Sequence, residues 1–573
     1  MRRQAVQPLT VRSRAIPLRS RPSPPRLVRA TTSLRHAMVR PQLANRVRRQ
    51  RCFRPNPAHA DINRLGALLQ MDTLHSYDDL PYDSLPLPET QPDFLAAMAA
   101  LHAYAAPDPR TERVLELGCA SGGNLIPLAF HYPESEFIGI ELSRVQAEAG
   151  AQFIAQLGLR NARILHADLA ALPEGLGQFD YVIAHGVYSW VPPTVQQALL
   201  RVCRDHLSPQ GLAYISFNVT AGWQKIWPLR EALLARTDAA LSAPQRVAQA
   251  RDVFAQLARE WNDPMLLREI AHLQSAAPSY LFHEFLAEYN SPMSFAQFAA
   301  QLEQAGLSYV AEAGPRRALV ELENTDWLAP QAIRARWLDA EVGLDEMLST
   351  RFRRALVSRN DATPAQPPEA ARLSQRAFYA NLHSDDEIDL NTDGAQGFIN
   401  AGGNGFSVSQ PLLKAALMAL SGAYPAALAY DELLGAAHAC MDHFAAQGER
   451  DADSFRAALF NLVMLHGVLP AHARTDTATV YADPPHAHAL ARLQASSPGW
   501  VVSGAWQVGL ALDAAGRALL TLLDGTHTLP QLTQAMQAVL EKQGVKLDAD
   551  NIETRVEQQL ALFARQGLLL AEA

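Results

Sequence analysis

Three carboxylates stand where apolar runs end. Glu116 lies within Val114-Leu-Glu-Leu-Gly-Cys-Ala-Ser-Gly-Gly-Asn124, Glu141 follows Phe137-Ile-Gly-Ile140, and Asp168 follows His166-Ala167. Side chains of this type, one at each of three successive strand ends, can accept hydrogen bonds from the hydroxyl and amino groups of a nucleoside. Between the first two lies a run of small residues, Gly118-Cys119-Ala120-Ser-Gly122. Such a run lets the backbone approach a ligand closely, and a helix starting behind it presents free N–H groups. The acidic residue expected roughly 20 residues after a nucleotide loop is met by Glu141, where both ribose hydroxyls could be bound. A fourth run ends in Ala184-His185-Gly-Val-Tyr188-Ser-Trp190, a segment placed to close over whatever the loop holds.

These residues need a scaffold of strands and helices. Arg113–Leu117, Glu136–Ile140, Ala162–His166, Phe179–Ala184 and Gly211–Val219 read as strands. Helical stretches such as Ser143–Leu157 and Thr194–Leu207 lie between them. That alternation predicts an α/β fold, doubly wound, with a mostly parallel sheet covered on both faces. Upstream, the proline-rich 76–92 reads as an extended arm leading into a helix over Asp93–Tyr104. Downstream, 222–300 reads as helical, including Gln245–Trp261. Leu307–Ala313 and Arg317–Glu323 look like a strand pair returning to a sheet. A linker rich in Pro and Ala spans about 360–372, and from 376 the chain reads as helical, with a glycine-rich turn at 400–405. Its end reads as a compact unit of helices Ala515–Leu523, Leu529–Gln543 and Ile552–Gln566, then a short strand Leu568–Leu570.

At 573 residues the chain is expected to form two to four domains. Its four cysteines are scattered without a CxxC pair, which argues against a zinc ribbon or disulfide framework and fits a reducing cytoplasm. No apolar run reaches the roughly 18 residues of a membrane helix. Fifteen arginines and no Asp, Glu or Lys fall in the first sixty residues, and removing them takes the net charge from −8 to −23. An acidic body is a poor match to a nucleic-acid backbone. The arginine-rich head could be a basic arm, a transit peptide, or sequence upstream of a true start at Met71. Its prolines and lack of apolar periodicity favour the last.

A dinucleotide loop needs GxGxxG, and Gly118-Cys-Ala120-Ser-Gly-Gly lacks the second glycine. The three strand-end carboxylates with this loop instead resemble the class I S-adenosylmethionine-dependent methyltransferases. The resemblance implies that Glu116 and the Gly118–Gly122 loop, with Cys119, Ala120 and Gly122, hold the methionine part of the cofactor. Glu141 and Leu142 would take the ribose, Asp168 and Leu169 the adenine, with His185 nearby. Ala120 replaces the usual middle glycine, which is tolerable if its φ is negative.

The arm Tyr77-Asp-Asp-Leu-Pro-Tyr82, Tyr280-Leu-Phe-His-Glu284, Asn290-Ser-Pro292 and Gly306-Leu-Ser-Tyr309 narrow the resemblance. They are similar to bacterial methyltransferases with a methyltransferase regulatory domain and a winged-helix-like tail, some of which are protein-lysine methyltransferases. On this basis the expected organisation is a head over 1–70, a cofactor-binding domain over 71–221, a helical regulatory domain over 222–325, helix and linker over 326–375, and a winged-helix-like domain over 376–573. The expected activity is methylation of a protein lysine. A small-molecule methyltransferase and a non-catalytic cofactor sensor are the alternatives.

A neutral amine is favoured by burial and by an acceptor beside it. His185, Tyr188 and Trp190, with Tyr77 and Tyr82 on the arm, are the candidates for that role or for closing the pocket. No spaced carboxylates remain for a metal. The tail, 501–573, carries five Lys/Arg against eight Asp/Glu, so nucleic acid is not its expected partner. Binding a protein substrate, covering the site or forming a homodimer suits it better.

Overall fold

Four of the five strands from Arg113 to Asn218 are buried over most of their length, as parallel strands covered on both faces must be; the fifth, Ala162–His166, lies at the sheet edge and buries only Ile164. A computed structural model describes residues 80–570 apart from 82–83, 316–340, 401, 476–481, 543 and 545–548. The head, Tyr77, Tyr82 and the expected strand Arg317–Glu323 therefore lie outside the described residues.

Seven strands form the main sheet: β1 (Arg113–Leu117), β2 (Glu136–Glu141), β3 (Ala162–His166), β4 (Phe179–Ala184), β5 (Leu207–Asn218), β6 (Leu307–Glu312) and β7 (Phe352–Arg359). Their order is β3-β2-β1-β4-β5-β7-β6. The first five run parallel, and β7 is antiparallel to both β5 and β6. The order reverses between β1 and β4, and in such sheets a ligand crevice opens outside the strand ends at that point.

Alternation along each strand builds two cores. Val114, Phe137, Tyr181 and Tyr214 face one side, where they join Phe94 and Leu101 of α1 (Pro92–Leu101), Leu125 and Leu128 of α2 (Leu125–His131), and Phe153 of α3 (Arg144–Leu157). Leu115, Ile138, Val182 and Ala213 face the other side, under Leu199 and Cys203 of α4 (Pro193–His206). The helical stretch after β5 has its own core. Trp223 and Leu229 of α5 (Thr220–Arg236), Phe254 of α6 (Ala243–Glu260) and Ile270 of α7 (Pro264–Ser275) meet there, and α8 (Phe295–Ala305) leads back to β6. Among the described residues, no helix is long and apolar enough to cross a membrane.

Two long stretches differ from the sequence expectation, and the expected strand Leu568–Leu570 is reduced to a single bridge between Leu569 and Ala487. Residues 352–359 were expected within helix and linker but form β7, between β5 and β6. The signal is hidden by Arg353 and Arg354, since two adjacent arginines do not read as strand interior. Burial of Arg353 is possible because Glu341 (2.7 Å), Asp345 (3.0 Å) and Glu312 (3.3 Å) surround its guanidinium. Residues 376–408 were expected to be helical. They instead hold the strand Ala377–Tyr379 and a hairpin of Gln396–Asn400 with Gly405–Val408, joined through the glycine-rich turn. Helices follow from Pro411, and those of the tail, Ala514–Leu522, Leu529–Lys542 and Ala549–Arg565, share one core.

Candidate active site

The loop between β1 and α2 is folded onto the end of β2. Gly118 and Cys119 N–H both donate to the Ile140 carbonyl, at 2.8 and 3.2 Å. Ala120 N–H donates to Glu141 Oε2 at 2.9 Å, and Ser143 N–H to Glu141 Oε1 at 2.7 Å. Ser143 in turn caps α3 by accepting from Gln146 N–H at 3.2 Å. Glu141 thus anchors the loop and the start of α3.

Ala120 departs from the expected backbone. Its φ is +50°, not negative, so its methyl group sits in the left-handed region at a cost of about 1–2 kcal/mol. The bond to Glu141 holds it there. The Cys119 thiol packs so closely on β2 that a Cβ on Gly139 would lie 2.4 Å from its sulfur. Cys119 can therefore meet a ligand only through its backbone.

Glu116 is 4% exposed. Its Oε1 accepts from Asn124 Nδ2 at 3.1 Å, while Oε2 is buried without a partner. Burial pushes the carboxyl up to about 8, against the Asn124 bond and with help from the Glu141 charge. An acceptor oxygen left without a donor beside a small-residue loop suits a ligand ammonium group. The residues present therefore fit the amino-acid end of S-adenosylmethionine.

Asn124 carried no expectation beyond its place in the motif, yet it joins several segments. Its Oδ1 accepts from Leu87 N–H and Thr90 Oγ on the arm, both at 3.0 Å. Its own carbonyl accepts from Gln507 Nε2 at 3.0 Å. The arm also grips the loop through Ser84, whose Oγ accepts from Gly123 N–H at 2.7 Å. Gly123 leaves no room for a side chain, because a Cβ there would lie 2.2 Å from the Ser84 carbonyl oxygen.

Asp168 and Leu169 lie at the end of β3. Asp168 Oδ1 caps a short turn by accepting from Ala170 N–H at 2.8 Å, which leaves Oδ2 for a ligand. Leu142, next to Glu141, is 38% exposed and offers an apolar surface at the same edge.

His185 stands at the end of β4, with Nδ1 3.0 Å from the Tyr214 hydroxyl and its ring against Phe352. Burial lowers it to about 4; Glu89 opposes that shift and Arg354 adds to it. Glu89, on the arm, pairs with Arg354 of β7 at 2.8 Å. Burial alone would raise Glu89, but Arg354 and His185 hold it below the usual carboxylate value. Neither Glu89 nor Arg354 was singled out in the sequence, since a proline-rich arm and a concealed strand give no sign of meeting.

Tyr188 and Trp190 are placed apart from this group. The Tyr188 hydroxyl is bonded to Gln301 of α8 at 2.5 Å and its ring is buried against Phe298. Trp190 packs against Trp223 of the helical stretch. Both rings are held by packing contacts.

Comparison with known proteins agrees with this geometry. Residues 114–211 match the model of a methyltransferase domain, 277–359 that of a predicted methyltransferase regulatory domain, and 483–568 that of the PKMT C-terminal winged helix domain. The uncharacterized protein RP028 of Rickettsia prowazekii is 33% identical over 239 residues, which cover 40% of this chain and 94% of that protein. RP789 of the same organism is 30% identical over 366 residues; the match covers 60% of this chain and 65% of RP789's length. The structure of PKMT2 from Rickettsia typhi in complex with AdoHcy shares the fold, with a TM-score of 0.73 at 22% identity, over 85% of this chain and all of that one. The chain belongs to the class I S-adenosylmethionine-dependent methyltransferases, in the group that joins a methyltransferase regulatory domain to a PKMT-type winged-helix C-terminal domain.

Proposed function

We propose that the protein methylates a lysine side chain of a protein acceptor, with S-adenosylmethionine held by Glu116, the Gly118–Gly122 loop, Glu141, Leu142, Asp168 and Leu169. When bound, the cofactor supplies an activated methyl group on its sulfonium. The chain must bring a neutral amine into line with it and keep water out.

The observation that carries the acceptor assignment is His185. A ring lowered to about 4 stays neutral at physiological pH, beside a Glu89–Arg354 pair at the end of β4. So weak a base is suited to orienting an amine that has already lost its proton, not to taking the proton from it. With Nδ1–H donated to the Tyr214 oxygen, Nε2 has a lone pair for an N–H of the acceptor. The PKMT-type tail and the fold shared with PKMT2 support a protein-lysine acceptor. The charge of −23 over residues 61–573 suits a basic partner, and the large stretches after residue 221 have the size to cradle one.

The test is to incubate the protein with radiolabelled S-adenosylmethionine and cell extract. Label is expected in protein, released as methyl-lysine on hydrolysis. Label confined to small molecules would overturn the protein acceptor, and no label anywhere would overturn the catalytic assignment.

A further inference from the structure

A side chain of the C-terminal region, that of Gln507, reaches the end of the cofactor loop. Gln507 is 2% exposed and sits at the end of a short helical turn, Ala505–Gln507. Trp506 and Gln507 both have φ of +57°. Two successive non-glycine residues in the left-handed region are strained, and such strain persists only where surrounding contacts impose it. Those contacts are present. The Trp506 ring stacks on Tyr379 at 3.9 Å, and its Nε1 donates to the Pro425 carbonyl at 2.8 Å. Ala505 N–H donates to the Gln566 carbonyl at 2.7 Å.

The strained turn delivers one amide to Asn124. Nε2 of Gln507 donates to the Asn124 carbonyl, while its Oε1 is buried without a partner. Asn124 also holds Glu116, whose Oε2 is likewise buried without a partner. Two unpartnered acceptors thus flank one asparagine, and a buried acceptor is costly unless a donor reaches it. A ligand ammonium has three N–H groups, enough for two such acceptors.

We propose that Gln507 belongs to the cofactor site, its Oε1 accepting from the amino group of the cofactor's amino-acid end together with Glu116. The C-terminal domain would then complete the methionine subsite as well as lie beside it. This rests on the cofactor assignment above. It differs from a purely structural role in one respect: it concerns only ligands that carry the amino group.

Binding to the full chain by calorimetry separates the two. S-adenosylhomocysteine carries the amino-acid end, and 5′-methylthioadenosine lacks it. A Gln507→Met variant keeps the bulk and loses the acceptor. It is expected to weaken S-adenosylhomocysteine at least tenfold and to leave methylthioadenosine within twofold of the unaltered protein. Equal loss for both ligands, or no loss for either, would overturn the assignment of Gln507. If Gln507→Met does not fold, Gln507→Asn, one methylene shorter, carries the same comparison. Failure of the unaltered protein to bind either ligand would overturn the cofactor assignment itself, and with it this proposal.

Discussion

Glu116 should make cofactor binding depend on pH. Its carboxyl is buried, one oxygen has no partner, and it ionises at about 8 instead of the ordinary 4.5. Such a shift is of order 5 kcal/mol against the charged form. In the ligand-free protein the folded chain therefore keeps this proton up to about 8, whereas the unfolded chain loses it near 4.5. Between those values the folded state binds more protons, so the stability contributed by this group falls as pH rises. Cofactor binding runs the other way. An ammonium beside Oε2 favours the carboxylate, so binding must expel the proton. At pH 7 about 0.9 proton should leave per cofactor bound, and affinity should fall roughly tenfold between pH 7 and pH 6. His185, lowered to about 4, does not titrate in this window, and the cofactor's own amine stays charged below about 7.7. Calorimetry in two buffers of different ionisation enthalpy reads the proton count directly. In Glu116→Gln the pH slope should vanish and affinity should be weak throughout. A flat profile in the unaltered protein, or the same slope in the glutamine variant, would refute the reasoning.

Replacing Glu141 by Ala should weaken cofactor binding at least tenfold, or about 1.4 kcal/mol, and lower the thermal midpoint by freeing the Ala120 and Ser143 N–H groups. Unchanged affinity would mean the ribose partner lies elsewhere. Ala120→Gly should stabilise the free protein by about 0.5–1 kcal/mol in thermal or urea unfolding, because relief of the left-handed methyl exceeds the entropy glycine adds to the unfolded chain. A fall in stability would contradict this account of the loop. Gly123→Ala should push Ser84 away, and limited proteolysis should then cut the arm before Pro88 faster than in the unaltered protein. Equal cleavage rates would show that the loop tolerates the methyl group without moving the arm.

Local signals made much of the nucleotide-binding half legible. Apolar runs of strand length, small-residue turns and Ser143 before a helix report on their own neighbourhoods, and β1, β3 and β4 begin and end at the residues expected. Legibility ended where partners are distant. Arg353 can lie on a buried strand because Glu312, Glu341 and Asp345 neutralise it; Glu312 comes from a distant strand, and nothing in the local pattern marks Glu341 and Asp345, 12 and 8 residues before it, as its partners. Ala120 has a positive φ because Glu141 holds its N–H, which residue type alone does not reveal. Glu89 and Arg354 meet only after the arm crosses the loop and β7 joins the sheet. Gln507 gave no signal at all: an isolated glutamine hundreds of residues beyond the loop has no pattern to belong to.

The place of β7 has a consequence for how the chain can be divided. β5 is paired with β7 from Ala213 to Asn218, and all six of those β5 residues are buried. A piece ending after β5 would retain every strand of the parallel half while leaving that length of backbone N–H and C=O groups open along an apolar ribbon. Exposed edges of this kind pair with other chains. The methyltransferase half is therefore expected to aggregate when cut near residue 221, and to stay monodisperse only if the fragment runs past Arg359. The parallel strands and the antiparallel pair that completes their sheet are therefore not divisible at any point between β5 and β7.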